Sequence, residues 1–458
     1  MNRNFSIAAA VAAALASTAS FAAGPSISTI NSTPASNTVN IMGSSAIKAA
    51  LTNSILANFC GGAANATVVT SNGSNSNFLG IACTPVSGQV TNSGNYNVWI
   101  RYEGGSVSGY LPIVNPSNPI NEISGSALTA NPITVNGNSE TNGANDSFTV
   151  SAGGALVRVA PDLGIGDVEP GAIIGNNYPS DYSTSVFGPG NAAGLVGLKS
   201  TGIIDEVYAL YVNGGGIVTE NPVSLSQETI ASILTHQVTN WSQVLDTSMH
   251  AVATGSLAIT LVNREFGSGS RTATDVLLAG DSCGSAGQPT TLFNKSTASR
   301  YFSTGDVLAA ANSVAGAITY ATIDNAPGAG SQSNLEWVAI NGVTPSNLAA
   351  AEGTYPFWVE AQFVNNTAAT GHDSAAVNNI IQALQTEATT AAIADVDAIP
   401  NVPSATGTPA TLNTTVHLNP NGNGIVPSGG GTATVYINPY TRSGTTCHNP
   451  AFSATSIP

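Results

Sequence analysis

The chain has 458 residues, of which only 8% are charged, and 25 acidic against 10 basic side chains give a net charge of −15. So sparse and so negative a surface excludes the basic footprint of a nucleic-acid binder or of a protein held on an anionic membrane. Gly, Asn, Ser and Thr supply the polar character instead, which suits a secreted or surface-exposed protein.

The N-terminus reads as an export signal over residues 1–22. Met1-Asn-Arg3-Asn is a positive segment, Phe5 to Ala16 an apolar core, and Ser20-Phe-Ala22 a small-x-small cleavage site. Its removal leaves 9 basic against 25 acidic residues, a net of −16. No cysteine follows the site to carry a lipid, and no later apolar run approaches the ~18 residues that span a bilayer. The expected product is a soluble monomer, periplasmic or released outside the cell.

From Val39 the pattern is that of an α/β protein. Val39 to Met42 reads as a strand, Ser45 to Phe59 as a helix, and Ala66 to Thr70 and Tyr96 to Tyr102 as strands, a βαβ-like opening. Residues 103–153 are rich in Asn, Ser, Gly and Pro without periodicity, so they read as a loop insertion. Val207 to Val212 is a strand that crosses to a second lobe, with a return expected near 315–330. In the helix that follows, Ile230, Ile233 and Leu234 share a face, and Ser224 and Gln227 have capping-box spacing. Leu257 to Val262 is a buried strand, Thr272 to Leu278 a helix, and Ser374 to Glu387 another, with Val377, Ile380, Ile381 and Leu384 on one face. Beyond Asn401 a Gly/Pro/Thr-rich tail contains one strand pattern, Ala433 to Ile437. Within the apolar strand before the insertion, Arg101 is expected to pair with Glu103 or another acid.

Between the strand ending at Val262 and the helix at Thr272 lies Asn263-Arg264-Glu265-Phe266-Gly267-Ser268-Gly269-Ser270-Arg271. A Gly/Ser loop opening a helix turns backbone N–H groups and hydroxyls toward one point, which is what an anion requires. The bland alternative is a Gly-rich turn whose arginines face water.

Four cysteines fit an oxidising compartment. Three connectivities are open, and proximity favours Cys60 with Cys83 and Cys283 with Cys447. No metal-ligand cluster, Gly-x-Ser-x-Gly elbow or His-Glu-x-x-His pair is present. The reading is therefore a binding protein with no catalytic residue, metal or cofactor.

An ordered set of motifs resembles the phosphate-specific substrate-binding proteins of bacterial ABC importers, in the type II periplasmic binding protein superfamily. Arg264 to Ser270 is similar to their Arg-x-x-Gly-Ser-Gly-Thr loop, with Ser in place of Thr. Val39-Asn-Ile-Met-Gly43-Ser44-Ser45-Ala46-Ile47 resembles their first strand and loop, and Asp162-Leu-Gly164-Ile-Gly-Asp167 their Asp-Phe-Gly-x-x-Asp. Tyr102 to Gly109 resembles Tyr-x-x-x-Gly-Ser-x-Gly with one residue missing. Ser224 to Leu234 with Thr239 to Ser242, Gly316 to Tyr320, Gly342 to Ser346 and Gly353 to Pro356 match later segments, so the likeness covers about residues 39–390.

The resemblance implies a two-lobed α/β fold with a ligand cleft: lobe I from 39–205 and 327–400, lobe II from 206–326, and a tail from 401–458. It implies phosphate, or a similar oxyanion, as ligand and an ABC permease as partner. The contacting residues would be Gly43, Ser44, Ser45, Ser106, Asp167, Arg264, Ser268, Gly269 and Ser270. HPO4²⁻ has acceptor oxygens and one proton to give, so hydroxyl and N–H donors plus one carboxylate acceptor, Asp167, suit it. Each has a plainer reading: Asp167 as a turn cap, Ser44 and Ser45 as helix N-caps, Arg271 as surface charge. Two other functions stay open, a secreted phosphatase on the same fold and an extracellular structural or adhesive protein that lacks the ligand.

Overall fold

A computed structural model describes residues 24–73, 76–116, 119–137, 148–173, 192–217, 222–280, 299–328, 332–368, 373–386, 398–400, 410–416, 431–437, 440–442, 445–447 and 450–452. The expected signal segment 1–22 and Cys283 lie outside the described residues.

The strands that matter for the site are, in chain order, β1 (Thr38–Gly43), β2 (Ala66–Asn72), β3 (Phe78–Cys83), β4 (Tyr96–Arg101), β5 (Ile120–Ile123), β6 (Ile133–Asn136), β7 (Thr149–Ala152), β8 (Leu156–Val159), β9 (Leu163–Gly166), β10 (Thr201–Asn213), β11 (Val223–Leu225), β12 (Thr260–Arg264), β13 (Ser299–Tyr301), β14 (Ala317–Thr322), β15 (Leu335–Ile340) and β16 (Trp358–Asn365). The helices used below are α1 (Lys48–Ser54), α2 (Gly105–Val114), α3 (Gln227–Leu234), α4 (Gly269–Leu277), α5 (Thr304–Asn312) and α6 (Ser374–Thr386). The main mixed sheet runs β13-β12-β14-β10-β16-β9-β1-β4-β3-β2-β6-β7, with β15 on β10 and β11 on β15.

β10 joins the two halves of this α/β sheet. Thr201 to Val207 pairs with β16, Tyr208 to Val212 with β14, and the register shifts between Gly202 and Asp205. At about 3.3 Å per residue such a strand is long enough to carry the partners of both halves along its length. β15 pairs with Leu210 to Asn213. Because β14 and β15 both lie on the later half of β10, the chain returns to the first half through residues 341–357, after the 315–330 read from the sequence.

The composition of residues 103–153 misleads. The segment is no loop insertion: it holds α2 and the strands β5, β6 and β7. Gly105-Ser-Val-Ser-Gly-Tyr-Leu-Pro-Ile-Val114 contains two glycines and a proline, yet Val107, Tyr110 and Leu111 are fully buried. Packing overrides propensity here. Gly109 lets the helix lie on the strands, since a Cβ there would be 2.5 Å from Met42 O and 2.8 Å from the Ile165 backbone.

Two smaller corrections concern helix starts. The helix expected from Ser45 begins at Lys48, with Ile47 as a cap that makes no side-chain bond, and its last turn, Ile55–Phe59, is a π-helix. The cap of α3 is Ser226, which accepts from Thr229 N–H, while Ser224 sits in β11. Cys60 and Cys83 form a disulfide with a Cα–Cα distance of 5.6 Å, and Cys447 is disulfide-bonded. Arg101 lies 3.8 Å from Glu103. Among the described residues no helix is long and apolar enough to cross a membrane.

Candidate functional site

Four chain segments deliver the site residues to one edge of the sheet. β1 is parallel to both β4 and β9, and Gly43 stands opposite Ile165, so Ser44 and Asp167 emerge side by side beyond the strand ends. Ligands in open α/β sheets gather at such carboxyl ends. β4 leads through Gly104 into α2, and β12, in the other half, leads through the Gly/Ser loop into α4.

The two helix starts meet around Asp167. Asp167 N–H donates to Ser106 Oγ at 3.0 Å, and Ser270 Oγ donates to Asp167 Oδ2 at 3.2 Å. Val107 N–H donates across the halves to Gly267 O at 3.1 Å. Only glycine fits at 269, because a Cβ there would collide with Ser106 Oγ and lie 2.7 Å from Asp167 Oδ2. Ser268 caps α4 by accepting from Arg271 N–H, which leaves the amides of Gly269 and Ser270 without an intrahelical acceptor.

Asp167 is 1% exposed, and its Oδ1 has no hydrogen-bond partner. Burial raises its pKa above the usual carboxylate value, against the opposing pull of Ser44, Arg264, Tyr208 and Ser270, which favour the anion. A buried acceptor left open is costly unless something fills it. The carboxylate does not serve the turn that follows it, since its bond runs to Ser270 on the other half.

Both arginines of the loop are 5% exposed, which overturns the picture of a turn with charges in water. Arg264 donates from Nη1 to Thr304 Oγ1 at 3.0 Å and from Nη2 to Phe302 O at 2.6 Å, while its Nε is buried without a partner. Its charge is felt by Asp167, but two arms of its fork are held by the protein. Arg271 braces the loop: Nη1 donates to Arg264 O at 3.1 Å, the guanidinium stacks 4.1 Å from the Phe266 ring, and Nε lies 3.6 Å from Asp275.

Of the residues expected in the site, Ser44, Ser106, Gly269 and Ser270 lie against Asp167, and Gly43 precedes Ser44 opposite Ile165. Arg264 acts through its charge, and the Ser268 side chain is spent on the cap. Ser44 Oγ accepts from Ala46 N–H at 3.3 Å and caps no helix. Among the described residues no hydrogen bond links Ser45 to Asp167, Ser106 or Ser270; its carbonyl accepts from Lys48 N–H.

Sequence reasoning missed Glu206 and Tyr208. They stand at the centre of β10, where it passes between the halves, and the signal for them was two adjacent acids, Asp205 and Glu206, entering an apolar strand. It also missed that the tail reaches this neighbourhood. Arg442 N–H donates to Glu360 Oε1 at 2.6 Å, Arg442 stacks 4.5 Å from the Trp358 ring, and Glu169 accepts from Thr445 Oγ1 at 2.6 Å and Thr446 N–H at 2.8 Å. Burial lowers the Arg442 pKa to about 10, although Asp205, Glu360 and Glu169 oppose the shift.

A family model described as a PBP superfamily domain matches the second part of this assembly. Residues 208–387 carry that domain's pattern. The matched PBP stretch includes the Gly/Ser loop, Arg264 and α4, and excludes Asp167 and Ser106. No curated protein sequence matches the chain. Among solved structures, it is similar to a putative phosphate ABC transporter substrate-binding protein with bound phosphate from Clostridium perfringens, at 14% identity, 75% of this chain, 91% of the other and a TM-score of 0.42. It is also similar to PstS from Borrelia burgdorferi, at 14% identity, 76% and 92% coverage and a TM-score of 0.34. An ABC-type phosphate transport receptor from Vibrio cholerae aligns at 20% identity, 43% and 70% coverage and a TM-score of 0.32.

Proposed function

We propose that this chain is an exported oxyanion-binding protein that takes up inorganic phosphate at the meeting point of Ser44, Ser106, Asp167 and the start of α4, and hands it to an ABC permease. The observation that carries the reading is the buried Asp167 carboxylate with Oδ1 open, facing hydroxyls and an arginine.

The chemistry follows from the ligand's one proton. HPO4²⁻ can donate to Asp167 Oδ1 while its other oxygens accept from the Ser44 and Ser270 hydroxyls and the Gly269 and Ser270 amides. The N-terminal end of α4 adds a favourable local dipole, and Arg264 adds charge. Such local terms are needed, because a net charge of −16 after export repels an anion at long range. Sulfate has no proton at neutral pH, so the carboxylate repels it.

Calorimetric titration with phosphate and with sulfate tests the reading. Stoichiometric phosphate binding, at least about 100-fold tighter than sulfate, is the expected result, equal to about 2.7 kcal/mol. Equal affinities would remove Asp167 from the proposed role, and hydrolysis of a chromogenic phosphate ester would point to the phosphatase alternative.

A further inference from the structure

Behind Asp167 lies a second buried carboxyl group that the binding scheme does not use. Glu206 is 1% exposed, and its Oε1 has no hydrogen-bond partner. Its Oε2 shares a 3.2 Å hydrogen bond with the Tyr208 hydroxyl, and the same hydroxyl also faces the Asp167 carboxylate. Tyr208 therefore stands between two acids, on the strand that joins the halves.

We propose that Glu206 is a positioning residue that stores one proton behind Asp167 and so sets which oxyanion the site accepts. The inference rests on the phosphate reading above for its ligand. Two buried carboxylates that share a neighbour do not both ionise readily. With Glu206 protonated, its hydrogen goes to Tyr208 Oη, and the Tyr208 hydrogen is free to point at Asp167. The anion of Asp167 is then supported and can take the phosphate proton. Once Glu206 loses its proton to solvent, the Tyr208 hydrogen turns to Glu206, and Asp167 gains a like charge and loses a donor.

The other acids around Glu206 act in the same sense as Asp167. Asp324 and Asp205 face it along with Asp167, and the Tyr110 phenol feels both Glu206 and Asp167. Burial, then Asp167, raise the Glu206 pKa well above its ordinary value, with Tyr208 opposing. Arg264 acts on the Asp167 side, and Arg442 lies beside Asp205.

Two measurements on the full chain test this. At a fixed activity of HPO4²⁻, the phosphate Kd of the wild type should rise at least about tenfold between about pH 7 and pH 10, and this rise should shrink below about threefold in Glu206→Gln. An unchanged slope in the variant overturns the proposal. Independently, carbon-13 titration of ligand-free protein should show the Glu206 midpoint falling by about one unit or more in Asp167→Asn. A midpoint that stays in place overturns the coupling whether or not phosphate binds. A wild type that ignores phosphate at every pH, with the midpoint shift intact, overturns the phosphate reading and upholds the coupling.

Discussion

Asp167 and Asp373 are both buried aspartates next to a helix start, and they have opposite surroundings. Asp373 Oδ2 accepts from Thr91 N–H at 2.6 Å, Asn92 N–H at 3.2 Å and the Tyr96 hydroxyl at 2.5 Å, while Oδ1 accepts from Ala375 N–H at 3.0 Å at the start of α6. Burial works to raise its pKa, but these bonds from Tyr96, Asn92 and Thr91 win and bring it down to about 2. Asp167 keeps one oxygen open, and burial wins there. The first carboxylate is finished by the protein and holds the 91–96 segment to α6. The second is left incomplete, which is the gap the proposed phosphate would fill.

The same substitution should therefore act in opposite directions at the two positions. Asp373→Asn should cost about 2–3 kcal/mol, because an amide cannot accept from all three donors that meet at Oδ2. Denaturant unfolding measures this, and a loss below about 0.5 kcal/mol would erase the contrast. Next in size, Arg264→Ala should weaken phosphate binding by about 1.5–3 kcal/mol, since a compensating positive charge leaves a dry pocket. Calorimetry that finds an unchanged Kd would confine Arg264 to bracing Phe302 and Thr304.

Asp167→Asn should leave the ligand-free fold as stable as before or about 1 kcal/mol more stable, because it removes a poorly satisfied buried charge. It should also cut the preference for phosphate over sulfate at least about tenfold. Destabilisation similar to that of Asp373→Asn would mean that Asp167 is structural.

The smallest effect concerns acid. The Asp373 pKa is depressed in the folded state, so its contribution is complete above the unfolded value of about 3.9 and is lost as pH falls through about 2. Acid unfolding of Asp373→Asn should lack that part of the pH dependence.

How much of this was legible depends on where the physics is local. The Gly/Ser loop before α4 could be read because strand, turn chemistry and helix pattern are adjacent in the chain, and Asp167 because its motif is compact. α2 could not: Gly, Ser and Pro give no helical signal, and what holds it is Gly109 against the backbones of Met42 and Ile165, which only the fold brings together. Ser106 was named by resemblance rather than by helix position. Glu206 and Tyr208 were missed because a strand buried on both faces looks the same whichever residues face a site. Ser45 was expected at the ligand on the resemblance of the Gly43-Ser44-Ser45 loop, and the bonds around it supply no such link.

The seat of the C-terminal segment makes truncation hazardous. Cutting the chain after residue 439 would strip the Arg442 cation from beside Asp205 and Glu360 and unseat Thr445 and Thr446 from Glu169, two residues beyond Asp167. Loss of the residues beyond 439 would then be felt, on the proposed reading, as a change in phosphate affinity, and intact mass would become the first thing to verify in any weak-binding preparation.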